Sequence, residues 1–139
     1  MSWRDALLLV CLLAVAACDP GAPESESESG SGSGSEFQQV VVPLLNRHCV
    51  MCHMADGAQG DFSLHPHPHA SLVGAPSTQS ELMLVVAGDV EGSYLYHKLV
   101  GSHLSVGGTG ASMPYQRELL DEADIDVIAQ WIAQGAGNK

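Results

Sequence analysis

Apolar and polar positions divide the chain into three stretches. An unbroken apolar run, Leu7 to Ala17, comes first. A stretch with no large apolar side chain follows, Asp19 to Glu36. From Phe37 onward the pattern is periodic. Phe37, Val40, Val41, Leu44, Leu45 and His48 recur at helical spacing and predict an amphipathic helix, which Pro43 either kinks or starts. A shorter helix is predicted around Ser93 to Val100, with Ser93 or Asp89 as its cap. The third helix is the clearest. Asp121 is its N-cap, Glu122 and Asp124 suit its first turn, and Ile125, Ile128, Ala129 and Ile132 form its stripe. Gly135 closes it. No segment alternates as a strand should, and Leu82 to Ala87 is apolar but ambiguous. The expected fold class is therefore all-α. Loops rich in Gly, Pro, Ser and His join the helices, and loops of that length call for something to order them.

The N-terminal run is 11 residues long, against the ~20 a membrane-spanning helix needs. It reads as the apolar core of a secretory signal. Val15-Ala16-Ala17-Cys18 resembles the lipobox of bacterial lipoproteins, in which the Cys is acylated and the peptide is cut before it. An ordinary cleaved signal with an incidental Cys is the alternative. The expected organisation is a signal peptide over 1–17, a flexible acidic and Gly-Ser linker over 18–36 anchored through Cys18, and a folded domain over 37–139. As a flexible coil the linker would span roughly 25 Å. The expected location is the bacterial cell envelope, lipid-anchored and facing the periplasm or the exterior.

Charge narrows the partners. Five Lys and Arg stand against 16 Asp and Glu among 139 residues, a net −11. Nucleic acid is excluded as a partner, since phosphate neutralisation needs clustered cations. The folded stretch contains only six aromatic residues, little material for a core, which a large apolar cofactor would help to fill.

Cys49-Val50-Met51-Cys52-His53 is a C-x-x-C-H run, the attachment signal for c-type haem. Two thiols on one turn reach the two vinyl groups of a porphyrin, and the following His53 lies where it would bind the iron. Three other chemistries use paired cysteines. A thioredoxin-like site wants a strand-helix context. Zinc wants four ligands, and no further Cys remains in the folded stretch. A Cys49–Cys52 disulfide would be a small strained ring. The expected cofactor is one haem c, attached through Cys49 and Cys52.

At these residues the chain resembles the single-haem class I c-type cytochromes, and more narrowly the short c-type domains of bacterial surface and periplasmic proteins. The matching features run from the apolar helix entering C-x-x-C-H, through Gly60-Asp61-Phe62-Ser63-Leu64 and Gly88-Asp89 before Ser93-Tyr94-Leu95, to Met113-Pro114 and Trp131-Ile132-Ala133-Gln134-Gly135-Ala136. They cover essentially all of residues 37–136. The resemblance implies a small cytochrome c-like helical domain wrapped around one covalent haem, its first and last helices crossing near the cofactor.

The sixth ligand decides the chemistry. Met113 is the leading candidate as distal ligand to iron, opposite His53, because it follows a Gly-rich loop and precedes Pro114, the setting in which class I cytochromes place their Met. A thioether is soft and raises the potential relative to a second His. His97 and His103 are the rivals. Met51, Met54 and Met83 read as packing, as does His48. His65, His67 and His69, alternating with Pro66 and Pro68, read as a stiff solvated loop rather than a surface metal site. Arg47, Arg117, Tyr115 and Trp131 are the donors available to the haem propionates.

The expected function is electron transfer by a membrane-tethered monohaem cytochrome, not an enzyme, acting as a monomer on redox partners with a basic docking patch. The alternatives are a haem enzyme, peroxidase-like or gas-reactive, with an open sixth position, and a haem-stabilised sensor or interaction module.

Overall fold

The first apolar stripe folds as a helix in two registers. In the computed structural model, which describes residues 35–54, 60 and 62–139, a π-helical turn over Phe37–Val41 runs directly into α1, Val42–His48. Pro43 accounts for the change. It has no N–H, and the wider turn before it is closed by Val42 N–H donating to Phe37 O. Pro43 thus stands at the start of the regular helix. Phe37, Val41, Leu44 and Leu45 are buried along one line, while Val40, expected on the stripe, is 40% exposed.

Two further helices were predicted in outline. α3, Tyr94–Leu99, is six residues long, and neither expected cap serves it. The Ser93 hydroxyl instead donates to Asp89 O at 2.6 Å and accepts from Val86 N–H at 2.8 Å, while Asp89 Oδ1 accepts from Gly92 N–H. Both side chains tie down the turn that feeds the helix. A 3-10 turn, His103–Val106, follows α3 and ends at Gly107 in the left-handed region (φ 73°). α4, Glu122–Ala133, is capped as its sequence indicates, with Asp121 Oδ1 accepting from Asp124 N–H at 2.8 Å. Its buried stripe is Ile128, Trp131 and Ile132, so the apolar face lies closer to Trp131 than the isoleucine spacing suggests.

α2, Pro68–Leu72, forms where a solvated loop was expected. Pro68 starts it, and His69 packs edge-on against Phe37 (5.2 Å between centroids) and donates from Nε2 to Ala136 O at 2.7 Å. His69 is a core-facing structural residue, whereas His65 and His67 are exposed as read. Leu82 to Ala87 makes isolated bridges, Val73 with Val85 and Met83 with Ser93 among them, and the described residues contain no sheet. They are helical with long connections, in keeping with the all-α class. Met83, read as packing, is 44% exposed.

The core gathers where the π-helical turn before α1 meets α4. Phe37 lies 5.1 Å from Trp131 at 30°, and at the other end His48 Nε2 lies 3.3 Å from Asp124 Oδ2. These two contacts set the helices antiparallel. His48 therefore faces an acid on the first turn of α4 and does not simply pack. Trp131 donates from its indole N–H to Gly137 O at 3.0 Å, pinning the chain after the Gly135 turn (φ 99°).

The signal peptide, the lipobox with Cys18, and the linker up to residue 34 lie outside the described residues. Among the described residues no helix is long and apolar enough to cross a membrane.

Candidate functional site

A cavity of about 390 Å³ opens beside the C-x-x-C-H turn. The turn is built from the end of α1. Leu45 O accepts from both Cys49 N–H and Val50 N–H, and Cys49 O accepts from Cys52 N–H at 3.1 Å and from His53 N–H at 3.2 Å. The chain thus winds once more past the helix and presents Cys49, Cys52 and His53 to the same space. His53 is 7% exposed. Its ring stacks on Phe62 (4.4 Å, 22°), and its carbonyl accepts from Leu64 N–H. Stacking and backbone bonding together fix the ring plane.

Cys49 and Cys52 are free thiols. Burial, with a smaller contribution from the neighbouring Cys52, pushes the Cys49 thiol up to about 11. Among the described residues, no three His, Cys, Asp or Glu side chains converge as a metal centre.

Met113 lines the cavity together with His53. The two are 60 positions apart in the sequence. The rival histidines do not line it. His97 donates from Nε2 to Glu91 O at 2.8 Å and accepts at Nδ1 from the Ser102 hydroxyl at 2.7 Å, so both its nitrogens are engaged elsewhere. His103 donates from Nε2 to Gly110 O at 3.0 Å. Met51 and Met54 are exposed near the turn, Met51 to 81%, and neither serves as core filler.

The charge pattern of the lining is one-sided. Phe37 to Lys139 contains four cations, and three of them, Arg47, Lys98 and Arg117, line the cavity. Among the described residues of this stretch, no Asp or Glu lines it. The remaining wall is largely apolar, with Leu64, Leu84 and Leu99 at its back. Lys98 is committed to loop carbonyls, but in a chain this acidic two exposed arginines, Arg47 and Arg117, beside an apolar space point to a bound group that is apolar over most of its surface and anionic at its edge. Haem, with its propionates, would match both features, and the two thiols, the imidazole and the thioether are the groups that could attach it and ligate its iron. Of the propionate donors expected from sequence, Arg47, Arg117 and Tyr115 line the cavity. Trp131 does not line it, and its N–H donates to Gly137 O.

Lys98 was not anticipated. It stands on α3 one turn after Tyr94 and is 7% exposed. Its ammonium donates to Ala111 O at 2.7 Å and to Thr109 O at 3.0 Å, and lies 5.4 Å from the centre of the Tyr94 ring. Burial lowers its pKa below the usual lysine value. The available signal was a lysine within a short, mostly apolar helix in a chain with few cations.

No family model, curated protein or solved structure matches the chain.

Proposed function

We propose that the chain is a monohaem c-type cytochrome that transfers electrons, with haem joined to Cys49 and Cys52 and its iron held between His53 and Met113. One observation carries this reading: the C-x-x-C-H turn and Met113 line one largely apolar cavity, with Arg47 and Arg117 on its lining and, among the described residues, no carboxylate. When bound, haem supplies a one-electron Fe(III)/Fe(II) couple. The protein's part is to hold that couple still. Cys49 and Cys52 would hold the macrocycle at the end of α1. The stack on Phe62 restrains the His53 imidazole, which would be one donor to the iron. Met113 would be the other and would keep water and small ligands from it. Arg47, Arg117 and Tyr115, on the same lining, would receive the propionates.

The resemblance to class I cytochrome domains supports the same reading, as does a leader of the lipoprotein type, since haem is joined to such motifs outside the bacterial cytoplasm. Acylation at Cys18 would tether the carrier to the cell-envelope membrane, facing the periplasm or the exterior. The net charge of −11 favours a redox partner with a basic docking patch and an association that weakens with salt.

The test is an optical spectrum of protein made through its export pathway, wild type beside Met113→Ala. The wild type should show covalent haem, a sulfur-to-iron charge-transfer band when oxidised, and no carbon monoxide binding when reduced at neutral pH. Met113→Ala should lose the band and bind carbon monoxide. A wild type that binds carbon monoxide would mean an open sixth position and a haem enzyme. Colourless protein would overturn the haem reading altogether.

A further inference from the structure

The loop carrying Met113 is held by its carbonyls, and the side chains that hold it come from one short stretch. Thr109 O accepts from the Tyr94 hydroxyl at 3.1 Å and from Lys98 Nζ at 3.0 Å. Gly110 O accepts from His103 Nε2 at 3.0 Å, and Ala111 O from Lys98 Nζ at 2.7 Å. Three consecutive carbonyls are therefore fixed by α3 and the turn after it. Lys98 grips the loop at both its ends, since its own carbonyl accepts from Met113 N–H at 2.9 Å.

The arrangement is costly unless it does something. A buried ammonium loses its hydration, and among the described residues no carboxylate lies within ion-pair distance of Nζ to offset that loss. Two carbonyls and the face of Tyr94 are its compensation. An apolar side chain would fill the same volume without this penalty. What it could not do is tie two loop carbonyls to one point. The cation is thus spent on the conformation of the loop.

We propose that Lys98 is a positioning residue that holds the Met113 loop over the cavity and so governs how firmly the distal axial position is closed. The inference rests on the His53–Met113 reading and deepens it. A thioether is a weak ligand, and its hold depends on how little the loop can move. With the carbonyls tethered, any movement of the loop that withdraws Met113 has to break these hydrogen bonds. Without the tethers, an external ligand would compete with the thioether on better terms.

The experiment titrates imidazole into oxidised, haem-loaded protein and records the sulfur-to-iron band alongside thermal stability. Lys98→Met keeps the stem and removes the donors. It should bind imidazole at least about tenfold more tightly than the wild type and show a weakened band, with haem still attached. Lys98→Arg should recover part of the band. Asp121→Ala, which removes the cap of α4 and none of the loop's hydrogen bonds named above, serves as the control. It should lose stability and leave imidazole affinity unchanged. Lys98→Met with wild-type affinity and band would overturn the proposal, as would Asp121→Ala raising affinity in step with its stability loss. If Lys98→Met fails to fold, Tyr94→Phe decides, since it removes a single bond to Thr109 O. It should tighten imidazole binding about threefold, and no change would overturn the proposal. A wild type lacking the band refutes the Met113 ligation itself, an outcome separate from all of these.

Discussion

Gly108→Ala probes the packing of the Met113 loop against α3. Gly108 is buried, and a Cβ there would lie 2.5 Å from both Cε2 and the hydroxyl of Tyr94 and 2.7 Å from His103 O. All three distances are below ordinary contact, and neither neighbour yields easily. Tyr94 is 1% exposed and hydrogen-bonded to Thr109 O. His103 O already accepts from Gly108 N–H at 2.9 Å, so any retreat lengthens that bond. One methyl forced into such a site costs about 2–3 kcal/mol, the upper part of the range for overpacking. Gly107→Ala is the matched control. Gly107 has φ 73° and nothing within 4 Å of a Cβ, so its substitution costs left-handed strain alone, about 1–2 kcal/mol. The assay is guanidinium unfolding of the haem-loaded proteins, followed by far-ultraviolet dichroism and by haem absorbance. Gly108→Ala should be the less stable of the two and should also weaken the sulfur-to-iron band, because the displaced loop carries Met113. A loss below about 0.5 kcal/mol in Gly108→Ala would show that the loop does not sit against Tyr94 as described.

Two further outcomes follow from named contacts. Asp121→Ala removes the side-chain acceptor of Asp124 N–H and should lower stability by about 1 kcal/mol by chemical denaturation, whereas Asp121→Asn should recover most of it. The buried Lys98 ammonium makes stability depend on pH with a definite sign. Its folded pKa is below 10.5, so the unfolded chain binds the proton more tightly just under that value. The stability of wild type relative to Lys98→Met should therefore rise as pH climbs through the window below 10.5; a difference that stays flat across that window would count against the buried charge.

Much of the fold is legible in short patterns. Asp121, the acidic first turn and Gly135 place α4 because capping and dipole preferences act within a turn. The apolar stripe from Phe37 marks α1 for the same reason, but it does not reveal the π turn, which depends on how Pro43 shifts the hydrogen-bond register. α2 is hidden behind three histidines, whose polarity suggests solvent. Only the packing of His69 on Phe37 shows that one of them faces the core. Trp131 is similar: it looks like a donor for the cofactor until its N–H is found on Gly137 O.

The amino-acid order alone determined the chemistry on offer: two thiols and an imidazole on one turn, a thioether beside a proline, and a scarcity of cations. Those are properties of neighbours in the chain, settled by covalent spacing. Tertiary packing decided which distant donors share a space. It put Met113 and not His97 or His103 on the lining with His53, gathered three of four cations there, and buried Lys98 against the loop it holds. Such choices turn on where loops and helices come to rest against one another, and the long-range contacts that set this leave no mark in local periodicity.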